Sequence, residues 1–273
     1  MRPLTTIDTY EHPDLEESLE LRFPTEEEAE VDQDEEWCEI VTDDGDRRRI
    51  RFHDYHELYE IPGLYEHVFY DKLKCNSPQV VRALLEEEFA KADFDPSDLR
   101  VLDLGAGNGM VAEELARMGA RTQVGIDIIE EAKEATERDR PDVYEQYVVV
   151  DLTDPGEDVR SDMRDRDFNC LITIAALGFG DIPPVAFAEA YNYVEDGGWI
   201  AFNIKDDFLE HHDSTGFRRL IRRLMREGAL EECAEREYTH RLSLAGEPLN
   251  YVAIVARKRA DAPIDWVRDA ENG

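Results

Sequence analysis

The chain has 273 residues, 42% of them hydrophobic, which is enough for one large packed domain with or without an appendage and too many for a wholly disordered chain. Acidic residues outnumber basic ones 65 to 31, a formal net charge of -34 at pH 7 that repels phosphate backbones and argues against DNA or RNA as a partner. No run approaches the roughly 18 apolar residues of a membrane span, and Met1-Arg-Pro-Leu-Thr-Thr-Ile-Asp lacks the apolar stretch of a secretory signal, so a cytoplasmic protein is expected.

Residues 1–36 carry acid clusters such as Glu26-Glu27-Glu28 and Asp34-Glu35-Glu36 with few apolar anchors, and read as a loosely ordered arm. Residues 37–77 form a second unit. Trp37 to Phe52 reads as a hairpin turning at Asp44-Gly45, with Ile50 and Phe52 alternating with Arg49 and Arg51. An aromatic and histidine-rich stretch follows, containing His53, Tyr55, His56, Tyr59, Tyr65, His67, Phe69 and Tyr70. Ser77-Pro78 then supplies an N-cap and a first-turn proline for a helix over 78–91, in which Val81, Leu85 and Phe89 recur at four-residue spacing.

From there to about residue 259, short apolar runs alternate with helical segments. Strands are expected at Val101-Leu-Asp-Leu, Gln123-Val-Gly-Ile-Asp, Tyr147-Val-Val-Val, Cys170-Leu-Ile-Thr-Ile and Trp199-Ile-Ala-Phe-Asn. Helices are expected near 109–119, 129–138, 184–194 and 215–228. Strands that are continuously apolar are covered on both faces, so the sheet is doubly wound, mostly parallel and α/β. Two more strands, near 231–242 and 249–257, meet at a Gly246 turn without a helix between them and form an antiparallel pair. The tail over 260–273 lacks periodicity and reads as peripheral. Cys38, Cys75, Cys170 and Cys233 are far apart with no CxxC pair, which argues against a zinc ribbon or a disulfide framework.

The strongest motif is Val101-Leu-Asp103-Leu-Gly105-Ala106-Gly107-Asn-Gly109-Met110, a strand running through a glycine-rich turn into a helix. A dinucleotide fingerprint would need its third glycine at position 110, and no Gly-Lys-Ser/Thr follows to make a P-loop. The next strand ends in Asp127-Ile128, where a carboxylate can accept both hydroxyls of a ribose and Ile128 can lie against a purine. The third ends in Asp151-Leu152, placed for the adenine amino group and the ring's other side. Taken singly each aspartate reads as a helix cap. Three at consecutive strand ends read as a nucleoside site.

This arrangement resembles class I S-adenosylmethionine-dependent methyltransferases over residues 78–258, including the closing antiparallel pair of their seven-stranded Rossmann-like sheet. Within them, Ile174-Ala-Ala-Leu-Gly-Phe-Gly-Asp-Ile-Pro183 followed by Gly197-Gly198-Trp-Ile-Ala-Phe-Asn is loosely similar to the Williams–Beuren-region type. The resemblance implies S-adenosyl-L-methionine as cofactor. It puts the loop of Gly105, Ala106, Gly107, Gly109 and Met110 along the methionine moiety and Asp103 near its amino group. It gives Asp127 to the ribose and Asp151 with Leu152 to the adenine, and counts Ile128, Ala175, Tyr65 and Tyr70 in the site, the two tyrosines as cover for the methionine end.

The acceptor is less legible. Strand four ends in Ala175-Ala176-Leu177-Gly178, not in the polar-Pro-Pro-aromatic tetrad of nucleic-acid amino-methyltransferases, and no cysteine follows a proline as cytosine C5 chemistry requires. With the charge, this points to a small molecule or a protein side chain offering oxygen, nitrogen or carbon. In-line methyl transfer needs a base only when the acceptor must lose a proton; His67 is one candidate, and His211-His212 another. No metal-ligand spacing is diagnostic. Two other readings stand beside methyl transfer: a nicotinamide-dependent oxidoreductase, and a non-catalytic nucleoside binder acting through its acidic arm.

Overall fold

A computed structural model describes residues 7–15, 18–25, 28–29, 31–41, 45–120, 122–177, 181–205 and 216–272. The chain builds two sheets. The first is antiparallel, in the order β1 (Ile7–Tyr10), β2 (Leu19–Arg22), β3 (Trp37–Val41), β4 (Arg47–Arg51). The β3–β4 hairpin pairs Trp37 with Arg51 and Val41 with Arg47, and its alternation buries Cys38, Ile40 and Ile50 while the arginines of β4 face outward. Residues 42–44, where the Asp44-Gly45 turn begins, lie outside the described residues.

The segment read as a loosely ordered acidic arm supplies β1 and β2. Its few apolar side chains are its anchors: Tyr10, Leu21, Phe23 and Ala29 are buried in one cluster with Ile50, Phe52, Leu58 and Val68. Glu36 reinforces them from the other side of the cap. Its carboxylate is buried, accepts from Arg241 at 2.6 Å and from the backbone N–H of Leu244 at 2.6 Å, and so ties the small sheet to the large one.

The polypeptide then turns through α1 (Tyr55–Glu60), α2 (Leu64–Glu66) and a π-helical turn (His67–Lys72) into α3 (Ser77–Ala92). Asn76, not Ser77, is the N-cap of α3. Ser77 is buried inside the first turn, and its hydroxyl meets His240 Nδ1 and the Tyr238 hydroxyl, each at 2.6 Å, while Asn203 donates to it at 3.1 Å. Capping is thus exchanged for tertiary hydrogen bonds.

The large sheet comprises β5 (Arg100–Leu104), β6 (Thr122–Asp127), β7 (Gln146–Val149), β8 (Phe168–Thr173), β9 (Val194–Lys205), β10 (Leu230–Leu242) and β11 (Pro248–Lys258), in the order β10-β11-β9-β8-β5-β6-β7. Strands β5 to β9 pair in parallel, and β11 runs antiparallel to both β9 and β10. Every residue of β8 is buried, because helices cover both faces. One layer packs Val101, Cys170 and Trp199 against Val81, Leu85 and Phe89 of α3; the other packs Leu102, Leu171 and Phe202 against Phe187 of α7 (Pro184–Asn192) and Leu220 of α8 (Phe217–Arg226). The layers also include α4 (Met110–Arg117), α5 (Glu130–Asp139) and α6 (Gly156–Arg164). The last of these carries only Val159 and Met163 as large apolar residues, too sparse a stripe to be recognised in the sequence.

The tail is not peripheral. It forms α9 (Ile264–Asn272) against α7 and α8, burying Ala262 and Val267, with Trp266 packed on the core beneath the guanidinium of Arg223. Strand order reverses at β5, whose neighbours are β6 and β8, and in open α/β sheets the crevice beyond the strand C-termini at that point is where ligands bind.

Candidate functional site

A cleft of about 270 Å³ opens at that position. The tips of β5, β6 and β7 reach it with Gly105, Ala106 and Gly107, then Asp127 and Ile128, then Asp151 and Leu152. Met110 at the start of α4, Ala175 after β8, and Tyr65 and Tyr70 from the cap line the same space.

The glycine turn is shaped by its surroundings. Gly105 and Gly107 have φ of +71° and +53°, and a Cβ on Gly107 would stand 2.6 Å from the Tyr59 hydroxyl. The carbonyl of Gly107 accepts from Tyr147 at 2.7 Å and from Thr136 at 2.9 Å. Its N–H donates to Asp127 Oδ2 at 2.9 Å, and Asp127 Oδ1 accepts from the N–H groups of Ile128 (2.7 Å) and Ile129 (3.1 Å). Of the roughly four lone-pair sites on a carboxylate, backbone donors therefore take three, which locks the side chain and leaves little for two ribose hydroxyls at once. Burial raises the Asp127 carboxyl above its usual range, against the pull of these donors. Asp151 is exposed and held below the usual range by Thr153, whose N–H it accepts at 2.8 Å. Ile128 is 61% exposed, an apolar surface presented at the cleft. Ala175 takes the left-handed conformation, φ +56°, with its N–H on Asn203 Oδ1 at 2.6 Å. A non-glycine residue there costs about 1–2 kcal/mol, and such outliers cluster at functional sites.

Three expected site residues lie elsewhere. Asp103 is fully buried beneath the turn: Oδ2 accepts from Tyr144 at 2.7 Å, Oδ1 has no partner among the described residues, and burial pushes its carboxyl up to about 7. Gly109 turns toward Val143, Arg140 and Thr136. His67 does not line the cleft: its Nε2 lies 2.8 Å from Asp8 of β1, its ring packs tilted against Tyr10 at 4.7 Å between centroids, and both line a separate polar cavity with Arg138. His211 and His212 lie outside the described residues.

Other residues went unsuspected. Glu66 accepts from Asn108 at 2.8 Å and from Arg140 at 2.6 Å, bracing the cap against the glycine turn. Tyr55 and Tyr59 extend the aromatic wall begun by Tyr65, with ring centroids 5.0 Å apart for Tyr59 and Tyr65. His53 and Asp181 line the cleft as a pair, Nδ1 to Oδ2 at 3.2 Å. They are far apart in the chain, and no spacing advertises them.

The site fits an adenosine bearing a cationic sulfur. A turn that bares its backbone at Gly105 and Gly107, an apolar ledge at Ile128 and carboxylates at successive strand ends are what such a group needs, and the unpartnered Asp103 oxygen lies buried beneath them. Fold and site together define a class I S-adenosylmethionine-dependent methyltransferase. The chain belongs to the family described as "Methyltransferase domain", whose model matches residues 76–241.

Among solved structures, the chain is similar to an S-adenosylmethionine-dependent methyltransferase from Clostridium acetobutylicum at 10% identity, with 72% of this chain and 97% of that one covered and a TM-score of 0.50. It is also similar to the magnesium protoporphyrin IX methyltransferase of Synechocystis with bound SAM, at 15% identity over 67% of this chain and 79% of that one, TM-score 0.46. No curated protein matches. Among the described residues no helix is long and apolar enough to cross a membrane, and no group of three histidine, cysteine or acidic side chains could hold a metal ion.

Proposed function

We propose that this methyltransferase transfers the methyl group of S-adenosylmethionine to a small-molecule acceptor by in-line displacement. When bound, the donor supplies an electrophilic methyl on a sulfonium. The residues of the chain bind, align and exclude water. Gly105, Ala106, Gly107 and Met110 would border the methionine portion, with Asp103 supplying negative potential from beneath. Asp127 would take the ribose, Ile128 and Leu152 the two faces of the adenine, and Asp151 its amino group. Ala175, Tyr65 and Tyr70 would close the reacting end.

The observation that carries this reading is the convergence of three successive strand tips on one cleft roofed by tyrosines. The acidic surface favours a neutral or cationic acceptor over a nucleic acid. The test is to incubate the protein with methyl-labelled donor and a cell extract split by size. Label in the low-mass fraction is expected; label in RNA, DNA or protein would refute the acceptor class. Asp127→Ala is expected to weaken S-adenosylhomocysteine binding on the order of 10–100-fold by calorimetry, the loss of a charged hydrogen bond.

A further inference from the structure

Alignment suffices to make a sulfonium methyl reactive, but a neutral hydroxyl is a poor nucleophile until its proton is taken. The His53–Asp181 pair is placed for that task. Both side chains line the cleft, yet retain only 14% and 32% of their exposure. The residue after Asp181, Ile182, brings its Cδ1 within 2.9 Å of where a Cβ on Gly105 would stand. The pair therefore belongs to the end of the cleft where the glycine turn begins, on which the methionine portion is proposed to lie. Tyr55 packs against the imidazole at 5.5 Å between ring centroids.

The other titratable groups lining the cleft, among the described residues, are poorly suited. Burial holds Tyr55, Tyr59, Tyr65 and Tyr70 protonated. Three backbone N–H groups occupy Asp127. Asp151 is held low by Thr153, which makes it a weak base. Imidazole is the side chain that trades protons near neutrality, and the Asp181 carboxylate 3.2 Å from Nδ1 of His53 favours a proton on that nitrogen, which leaves Nε2 to accept.

We infer that His53 is the catalytic base, that Asp181 is its positioning residue, and that the acceptor is a hydroxyl compound, a phenol in preference to an alcohol. The phenol preference comes from the tyrosine wall, whose ring faces suit a planar aromatic partner. The step balances. The hydroxyl oxygen forms the new O–CH₃ bond as the S–CH₃ bond breaks, with its electron pair left on sulfur as a neutral thioether. The hydroxyl proton passes to Nε2 of His53, and the imidazolium is held by Asp181. This rests on the methyl-transfer reading of the cleft.

The test is histidine-selective ¹⁵N NMR on the whole protein, with S-adenosylhomocysteine as probe and its binding followed in parallel by calorimetry. His53 is expected to carry its proton on Nδ1, with Nε2 unprotonated and its resonance moved by the probe; Asp181→Ala should lose that tautomer preference. A proton found on Nε2, or a resonance indifferent to a probe that calorimetry shows to be bound, overturns the assignment while leaving the methyltransferase reading intact. A probe that does not bind takes both with it. In the labelling experiment, His53→Gln should lower transfer at least about 100-fold while keeping probe affinity within about twofold. Loss of both together would make His53 structural. The labelled product should be an ether, and a quaternary ammonium or a methyl ester would overturn the acceptor class.

Discussion

The Tyr144 phenol donates to Oδ2 of Asp103 across 2.7 Å, and it is the bond that partners a fully buried carboxylate at the end of the central strand. Burial raises Asp103 from 3.8 to about 7, and Tyr144 opposes that shift by favouring the ionised form. With the folded value above the unfolded one, the native state holds the extra proton between roughly pH 4 and 7, so this group lowers stability as pH rises through that window. Tyr144→Phe should therefore cost about 1.5–3 kcal/mol at pH 8, where the carboxylate is charged, and clearly less at pH 5. Urea unfolding at the two pH values measures the difference; equal losses would mean that the bond does not depend on the charge.

Gly107 offers a separable pair of penalties. Gly107→Ala forces an alanine to φ +53° and brings its Cβ to 2.6 Å from the Tyr59 hydroxyl. The backbone part is about 1–2 kcal/mol. With Tyr59→Phe added, the nearest atom of that ring is 3.6 Å away, so the double variant should recover the steric part and keep the backbone part. Thermal unfolding of both variants and Tyr59→Phe alone tests this, and purely additive losses would contradict it.

Glu36 and Arg241 are 1% and 2% exposed. Removing one partner strands a buried charge, so Glu36→Leu or Arg241→Met alone should cost about 3–5 kcal/mol, whereas the double replacement should cost far less than the sum. A chemical-denaturation cycle decides it. Additive losses would mean that the two groups act independently.

The charge ratio of 65 acidic to 31 basic residues, only six of them lysine, predicts a response to salt. Screening relieves carboxylate repulsion over the whole surface, but it also weakens exposed pairs such as Arg48–Glu57. Repulsion dominates at this net charge, so the melting temperature should climb between about 0.1 and 2 M KCl. A flat or falling curve would mean that the loss of exposed ion pairs outweighs the relief of repulsion.

The sequence was most readable where periodicity is long or chemistry is local. The parallel strands announced themselves as continuous apolar runs, and Gly105 to Met110 as a turn with one geometry. The four-residue strands β1 and β2 have too few inward positions to alternate visibly, and their anchors Tyr10 and Leu21 stand among acids. Ser77 looked like a cap because local rules cannot see Tyr238 and His240 arriving from the far end of the chain. The same limit hides the neighbourhood of His53, since Asp181 is brought to it only by the folded chain.

The Glu36–Arg241 bond spans 205 positions of sequence. The cap strands are synthesised well before Arg241, the group that seats them. The small sheet therefore cannot be locked onto the large one until β10 has been made, and a nascent chain stalled before that strand would lack the bond that seats it.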